Sequence, residues 1–257
     1  MREGYFNEGI EQIELGQEHL VYVDGTSDGT QDKYFKNGIW YKPDKLGTEG
    51  YNEYFASEIL KCTNLDSIKY VEYKEVIING VSGCQSNSFL KEQEEYVSLY
   101  RLYKNIVGRD IAIVFQQMDF DDQADFLVDF VKKETGVDIN EMLGELLFID
   151  GITLNDDRHL NNIGLIFDGV NFRPAPIFDN GKSFFCGNKH YDETKDLKDN
   201  LRYVRSRPFV ATNALAQMRF PIDITIDNDK LQTFLGSQPD NIQKKVVSYT
   251  MKKWIDQ

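Results

Sequence analysis

The spacing of apolar and polar positions changes rhythm near residue 90. Before that point, short apolar runs are broken by glycine, proline and asparagine, the punctuation of strands and turns. Residues 20–23 read as a strand, followed by a polar loop over 24–30 that carries Gly25 and Gly29. Residues 38–42 read as a second strand, stopped by Pro43, which has no N–H to give to a ladder. Tyr51, Phe55, Ile59 and Cys62 then fall on one stripe, which predicts a helix over 51–62. A further strand is expected over 70–79, ending at Asn79-Gly80.

Beyond residue 90 the pattern is helical. Residues 92–104 and 121–134 are predicted helices, the second with Lys132 and Lys133 in its last turn and Gly136 as its stop. Asp138-Ile139-Asn140-Glu141 has the D-x-x-E form of a capping box and opens a helix through Leu147. Residues 239–254 carry Ile242, Val246, Tyr249 and Trp254 at amphipathic spacing. The expectation is an α+β, two-lobed chain. Residues 1–89 would form a small β-rich lobe with one key helix, and 90–257 a larger, mostly helical lobe. Small ligands bind in the cleft of such an arrangement.

Composition narrows the function classes. A length of 257 residues suits one large domain or two small lobes, and 41% apolar with 13% aromatic residues excludes wholesale disorder. The net charge of −13 argues against direct nucleic-acid binding, which depends on Lys and Arg neutralising phosphates, and against docking on an anionic membrane. Cys62, Cys84 and Cys186 are scattered, and His19, His159 and His190 lack zinc-site spacing. The best apolar run, 111–115, is too short to span a bilayer, and the first residues have no hydrophobic signal core. A cytoplasmic location is expected.

The candidate chemistry lies in residues 151–181. Asp157-x-His159-x-x-Asn162 precedes two apolar runs, 163–167 and 170–178, separated by Asp168-Gly169, a two-residue hairpin signal. Asp179-Asn180-Gly181 follows. In a hairpin the residue before the first strand lies near the residue after the second, so Asn162 and Asp179 are expected to meet. Pro174 and Pro176 mark an irregularity that absorbs the unequal strand lengths. An amide and a carboxylate oxygen suit magnesium, which keeps much of its shell for water and substrate phosphates. The five-residue step from Asp157 to Asn162 is that of phosphoryl-transfer sites, in which one Asp positions the attacking hydroxyl and an Asn and a second Asp hold metal. Asp156 is the rival base. His159 is expected to orient the loop through hydrogen bonds.

These motifs resemble those of the bacterial HipA-like and CtkA-like serine/threonine kinases, within the protein-kinase-like fold. Upstream, the segment from Ser27 to Lys33 resembles the family's phosphate loop, Trp40-Tyr41-Lys42-Pro43 its lysine strand, and residues 49–53 the start of its paired helix. Residues 83–89, including Ser88 and Phe89, resemble the segment linking the lobes. The resemblance implies Mg-ATP held by Gly25, Ser27, Gly29, Thr30, Lys42, Ser88 and Phe89, with magnesium on Asn162 and Asp179. Helical spacing leaves Glu53 and Glu58 both open as the partner of Lys42; the resemblance favours Glu53, with Glu49 placed ahead of the helix. It further implies a Ser/Thr-bearing protein substrate, autophosphorylation at Thr26, Ser27 or Thr30, and an antitoxin-like regulator. Full HipA toxins carry an additional N-terminal region, so a toxin role does not transfer. A kinase of small molecules or lipids and a non-catalytic ATP-binding module are the competing readings. Arg202, Arg205 and Arg207 suit either an acidic or phosphorylated ligand or an ordinary salt-bridged turn.

Overall fold

In the computed structural model, residues 9–21, 32–205, 207–209 and 223–255 are described. Strands β1 (Glu11–Ile13), β2 (Tyr34–Lys36) and β3 (Ile39–Pro43) come first, then helix α1 (Glu49–Lys61), then β4 (Lys74–Ile78) and β5 (Val81–Asn87). The five strands make one sheet in the order β1-β4-β5-β3-β2. Two asparagine-glycine turns, Asn37-Gly38 and Asn79-Gly80, close its hairpins with positive φ at all four residues, the backbone hand that matches strand twist. The expected strand at 20–23 is reduced in the described part to a bridge between Leu20 and Tyr34 and a bond from the Val21 N–H to the Lys33 carbonyl. The phosphate-loop residues Gly25, Thr26, Ser27, Gly29 and Thr30 lie outside the described residues.

Helix α1 begins two residues earlier than its apolar stripe predicts, and Glu49 is its first residue rather than a residue ahead of it. Two carboxylates fix that start. Glu49 accepts the Leu46 N–H at 2.8 Å, and Asp44 accepts the Gly50 N–H at 2.6 Å. The helix lies so close to β5 that a methyl group at Gly50 would stand 2.7 Å from the Gly83 carbonyl oxygen.

Burial pushes the Asp44 carboxyl up to about 7, opposed by its bond from Gly50 and reinforced by Glu49 and Glu75. The folded chain therefore binds a proton there between about pH 4 and 7 that the unfolded chain releases, so this group's contribution to stability falls as pH rises through that window. Asp44→Asn keeps an acceptor for Gly50 without the charge. It is expected to raise stability by about 2 kcal/mol at pH 8 and to leave it nearly unchanged at pH 4. Urea denaturation at the two pH values measures this; a gain of equal size at both would contradict it.

The predicted strand over 70–79 splits. Only 74–78 joins the sheet, while Tyr70 and Val71 pair instead with Ile177. Residues 83–89, read as a lobe-linking segment, are mostly strand β5, flanked by β3 and β4, and only Ser88 and Phe89 follow the strand. The predicted helix over 92–104 divides into β6 (Glu95–Ser98) and α2 (Leu99–Val107), with the Ser98 hydroxyl accepting the Arg101 N–H as N-cap.

Two further helices follow, α3 (Ile111–Phe115) and α4 (Phe120–Thr135), and α4 stops at Gly136 as expected. Helix α5 (Asn140–Thr153) runs past Leu147 because its apolar residues continue into the core, with Leu143, Leu147 and Phe148 fully buried. The capping box at its start does not form. Asp138 accepts the Asn140 N–H and pairs with Lys132, while Glu141 pairs with Lys69.

Strands β7 (Gly164–Phe167) and β8 (Phe172–Pro174) complete a three-stranded sheet, β6-β7-β8. Their turn has four residues rather than two, because Asp168 Oδ1 accepts the N–H groups of both Val170 and Asn171. Helices α6 (Leu197–Asn200), α7 (Asn228–Ser237) and α8 (Ile242–Ile255) follow. The α+β architecture expected from the change of rhythm is the one observed. No helix among the described residues is long and apolar enough to cross a membrane.

Candidate active site

Strand alternation sends Tyr41 into the core of the five-stranded sheet and Lys42 to the opposite face. There the Lys42 ammonium meets two carboxylates, Glu53 Oε1 at 2.9 Å and Asp179 Oδ1 at 3.1 Å. Helix geometry settles the open choice of partner: Glu53 is buried beneath Lys42, Glu58 is occupied by Lys61, and Glu49 caps the loop before α1. Glu53 also reaches the metal-loop candidate directly, since its Oε2 accepts the Asn180 N–H at 2.7 Å. The Lys42 ammonium lies 5.4 Å from the centre of the Tyr73 ring.

Electrostatics follows from that packing. Burial alone would discharge Lys42, but Asp179 and Glu53 more than offset it and hold its pKa well above the usual value. Burial would likewise protonate Asp179, yet Lys42, Lys33 and Arg158 pull it well below the carboxylate range. Burial keeps Glu53 above its ordinary value despite Lys42. Burial and the neighbouring Lys42 push Lys33 down. Asp179 therefore stays ionised, the state a metal ligand needs. Its backbone is left-handed, at φ 63°, a region that Asp tolerates better than most residues.

The route by which Asp179 gets there differs from the simple ribbon expected. After β8, the Ala175 N–H still bonds to Gly164, but past Pro176 the chain leaves β7. Ile177 then bonds to Lys69 and Val71, which carries the next residues toward Lys42. The irregularity expected at the two prolines is this change of partner.

Arg158 brings the 157–162 loop and the 178–180 segment together. Its guanidinium is fully buried, donates to both oxygens of Asp150, and reaches Asn180 Oδ1 at 2.7 Å and the Phe178 carbonyl. Asp150 also accepts from Asn155, whose own Oδ1 accepts the Asp157 N–H at 3.0 Å. Neither Arg158 nor Asp150 stood out in the sequence. A signal was present: Asp150 interrupts the apolar run of α5, and a charge buried on such a helix requires a partner.

Asp157 is 40% exposed and faces Arg207, whose Nη1 is 3.6 Å away. Asp156, the rival base, is occupied by Asn188 at 3.1 Å, and burial raises its pKa. The His159 N–H bonds to the Asp157 carbonyl, and its own carbonyl accepts from the Asn162 N–H, so backbone bonds shape the loop. On its side chain, Nδ1 is buried with no hydrogen-bond partner. Half-buried Asn162 closes the loop. Phe89 lies 5.5 Å from Phe178 and 6.1 Å from Tyr96, beside buried Val71, Tyr73 and Cys84. Ser88 donates its N–H to the Gly38 carbonyl.

Such an arrangement combines a lysine locked between two acids, an exposed aspartate on an adjoining loop and a small aromatic patch. No protein-family model matches the sequence, and no curated protein does. Among solved structures, the chain resembles the proinflammatory kinase CtkA of Helicobacter pylori, with a TM-score of 0.64 and 16% identity over 95% of this chain and 94% of that one. HipA from the toxin–antitoxin system of Shewanella oneidensis MR-1, solved with HipB and operator DNA, matches at a TM-score of 0.44 and 12% identity over 93% and 61% of the two chains. The likeness to CtkA is one of fold. The chain has a kinase-like fold, as its motifs led us to expect.

Proposed function

We propose that the chain is an ATP- and magnesium-dependent kinase that phosphorylates Ser or Thr residues of proteins. The observation that carries this reading is the Glu53–Lys42–Asp179 triad, tied through Asn180 and Arg158 to the loop bearing Asp157. A lysine held charged at the end of a strand is suited to α- and β-phosphate oxygens, and the Phe89–Phe178 patch to a flat base. Asp179 and Asn162 supply hard oxygen donors and would hold magnesium, which contributes charge neutralisation at the phosphates. The described residues contain no group of three or more His, Cys, Asp and Glu side chains able to hold a metal. A two-donor site completed by substrate phosphates and water fits that donor set.

Asp157, on the exposed side, would orient the acceptor hydroxyl and take its proton. Because the transition state is loose, the protein's contribution is alignment and neutralisation rather than covalent chemistry. Incubation with γ-labelled ATP and magnesium should label the chain itself or proteins of a cell lysate. Asp157→Asn should reduce that labelling by at least about a hundredfold while retaining nucleotide binding. Equal labelling by the variant would sink the assignment. Mapping of any phosphosite to Thr26, Ser27 or Thr30 would support self-modification of the loop.

A further inference from the structure

Asp179 heads a segment whose backbone is costly to hold. Asp179, Phe184 and Phe185 are all left-handed, at φ 63°, 58° and 62°, and residues other than glycine keep that hand only where their surroundings fasten them. Upstream, Arg158 fastens Phe178 and Asn180. Downstream, the fastening comes from a residue that no motif marked. Asn52 is fully buried in α1, one position before Glu53. Its amide donates to the Gly181 carbonyl at 2.9 Å and to the Ser183 carbonyl at 3.1 Å. Glu53 accepts the Asn180 N–H, and the Phe184 ring packs edge-on against Phe55 at 5.5 Å. One helix thus grips this stretch almost residue by residue.

The oxygen of the same amide faces another element. Asn52 Oδ1 accepts the Gln243 side-chain amide at 2.9 Å, and Gln243 is the buried second residue of α8. The chain just ahead of α8 is docked on α1 by its neighbour as well: the Tyr51 hydroxyl donates to Gln238 Oε1 at 2.9 Å and accepts from the Asn241 amide at 3.0 Å. Both N–H donors and the oxygen of Asn52 are therefore occupied, which fixes the orientation of its amide. Losing one partner leaves a buried polar group unpaired, so Gln243, Asn52 and the two carbonyls hold as a unit.

We infer that Asn52 is a positioning residue for Asp179, and that through its amide the set of the 180–183 segment depends on the docking of α8. Its role toward magnesium rests on the kinase reading; the anchoring of the segment does not. Asn52 works through the backbone, binding two carbonyls beyond Asp179 and leaving that carboxylate to face Lys42. Undocking of α8 would remove the partner of Asn52 Oδ1 and loosen the metal-holding segment without touching it. Helix α8 is then a regulatory element of the site.

The test follows hydrogen exchange by mass spectrometry on the full chain. The Asn180, Ser183 and Phe184 N–H groups each have an acceptor in the folded chain, so their exchange reports opening of the segment. Asn52→Leu removes both donors and should speed exchange across 180–184 about tenfold. Gln243→Met keeps a side chain of similar length, removes only the donor to Asn52, and should speed it about threefold. It carries the test alone if Asn52→Leu does not fold. Residues 246–251 of α8 should exchange at the wild-type rate in Gln243→Met. The double variant should match Asn52→Leu, because Gln243 acts on the segment only through Asn52. In titrations with a non-hydrolysable ATP analogue, the magnesium concentration giving half of the metal-dependent gain in affinity should rise about tenfold in Asn52→Leu and about threefold in Gln243→Met. Metal-free affinity should stay within about twofold of wild type.

Wild-type exchange across 180–184 in both variants overturns the inference. So does acceleration of equal size in 246–251, an additive double variant, or a loosened segment with an unchanged magnesium response. The two readings fail separately. Local loosening in a chain whose wild type shows neither magnesium-linked nucleotide binding nor phosphoryl transfer refutes the kinase assignment and leaves the anchoring by Asn52 standing. Phosphoryl transfer by the wild type, with unchanged exchange in the variants, refutes the anchoring and leaves the kinase assignment intact.

Discussion

Asp179→Asn is expected to abolish phosphoryl transfer, by at least about a thousandfold, and to weaken magnesium-dependent ATP binding. The variant keeps nearly the same shape, so the effect would come from charge. Lys42 would lose one of the two anions that hold it protonated in a buried site, and Asn would offer a neutral oxygen where a carboxylate had been held ionised. Calorimetric titration with a non-hydrolysable ATP analogue, with and without magnesium, separates the two losses. Affinity without the metal should change by less than about threefold, while the gain that magnesium confers should disappear. Wild-type turnover with an unchanged magnesium response would refute both the metal role of Asp179 and the reading built on it.

Arg158→Met is expected to destabilise the fold by about 3–5 kcal/mol, the cost of leaving a buried charge without its partner. Asp150 is only 1% exposed, and the guanidinium is its sole cationic contact within ion-pair distance among the described residues. The double variant Asp150→Leu/Arg158→Met should recover most of that loss, since two apolar side chains of similar volume need no pairing. It would not restore the bonds to Phe178 and Asn180, so the loop carrying Asp157 would lose its tether to the Asp179 segment. Recovered stability without recovered activity is the expected signature. Denaturant midpoints within about 1 kcal/mol of wild type for the single variant would show that Arg158 is not a keystone of the fold.

Elements governed by local chemistry could be read directly from the sequence. Helix α4 ends where Lys132, Lys133 and Gly136 say it should, because dipole and left-handed cap are properties of neighbouring residues. Residues 95–98 failed for the opposite reason. Their strand exists because β7 offers a partner about seventy residues away in sequence, and Ser98 serves both as the last strand residue and as the cap of α2. Asp138 also had two local options, and its pairing with Lys132 and Asn140 displaced the capping box.

The site divides in the same way. The residue types of the motifs were visible, but periodicity left Glu53 and Glu58 open until the packing of α1 decided between them. The contact between Lys42 and Asp179 joins positions 137 residues apart and has no local signature. Arg158 escaped notice because an arginine next to an aspartate on a polar loop reads as a solvated surface residue. Only its burial reveals that it organises both loops.

The backbone contact between Gly50 and Gly83 constrains how this molecule can be turned on and off. Helix α1 carries Glu53 and rests on β5 without a side chain at the point of contact, so the helix has no cushion on which to slide. Sliding it inward is blocked by the Gly83 carbonyl, and swinging it outward would open a gap under the start of the helix. The lysine–glutamate pair thus rests on a helix whose start has little room to move toward the sheet. On the kinase reading, control that acts on access to the site would need no movement of this helix toward the sheet.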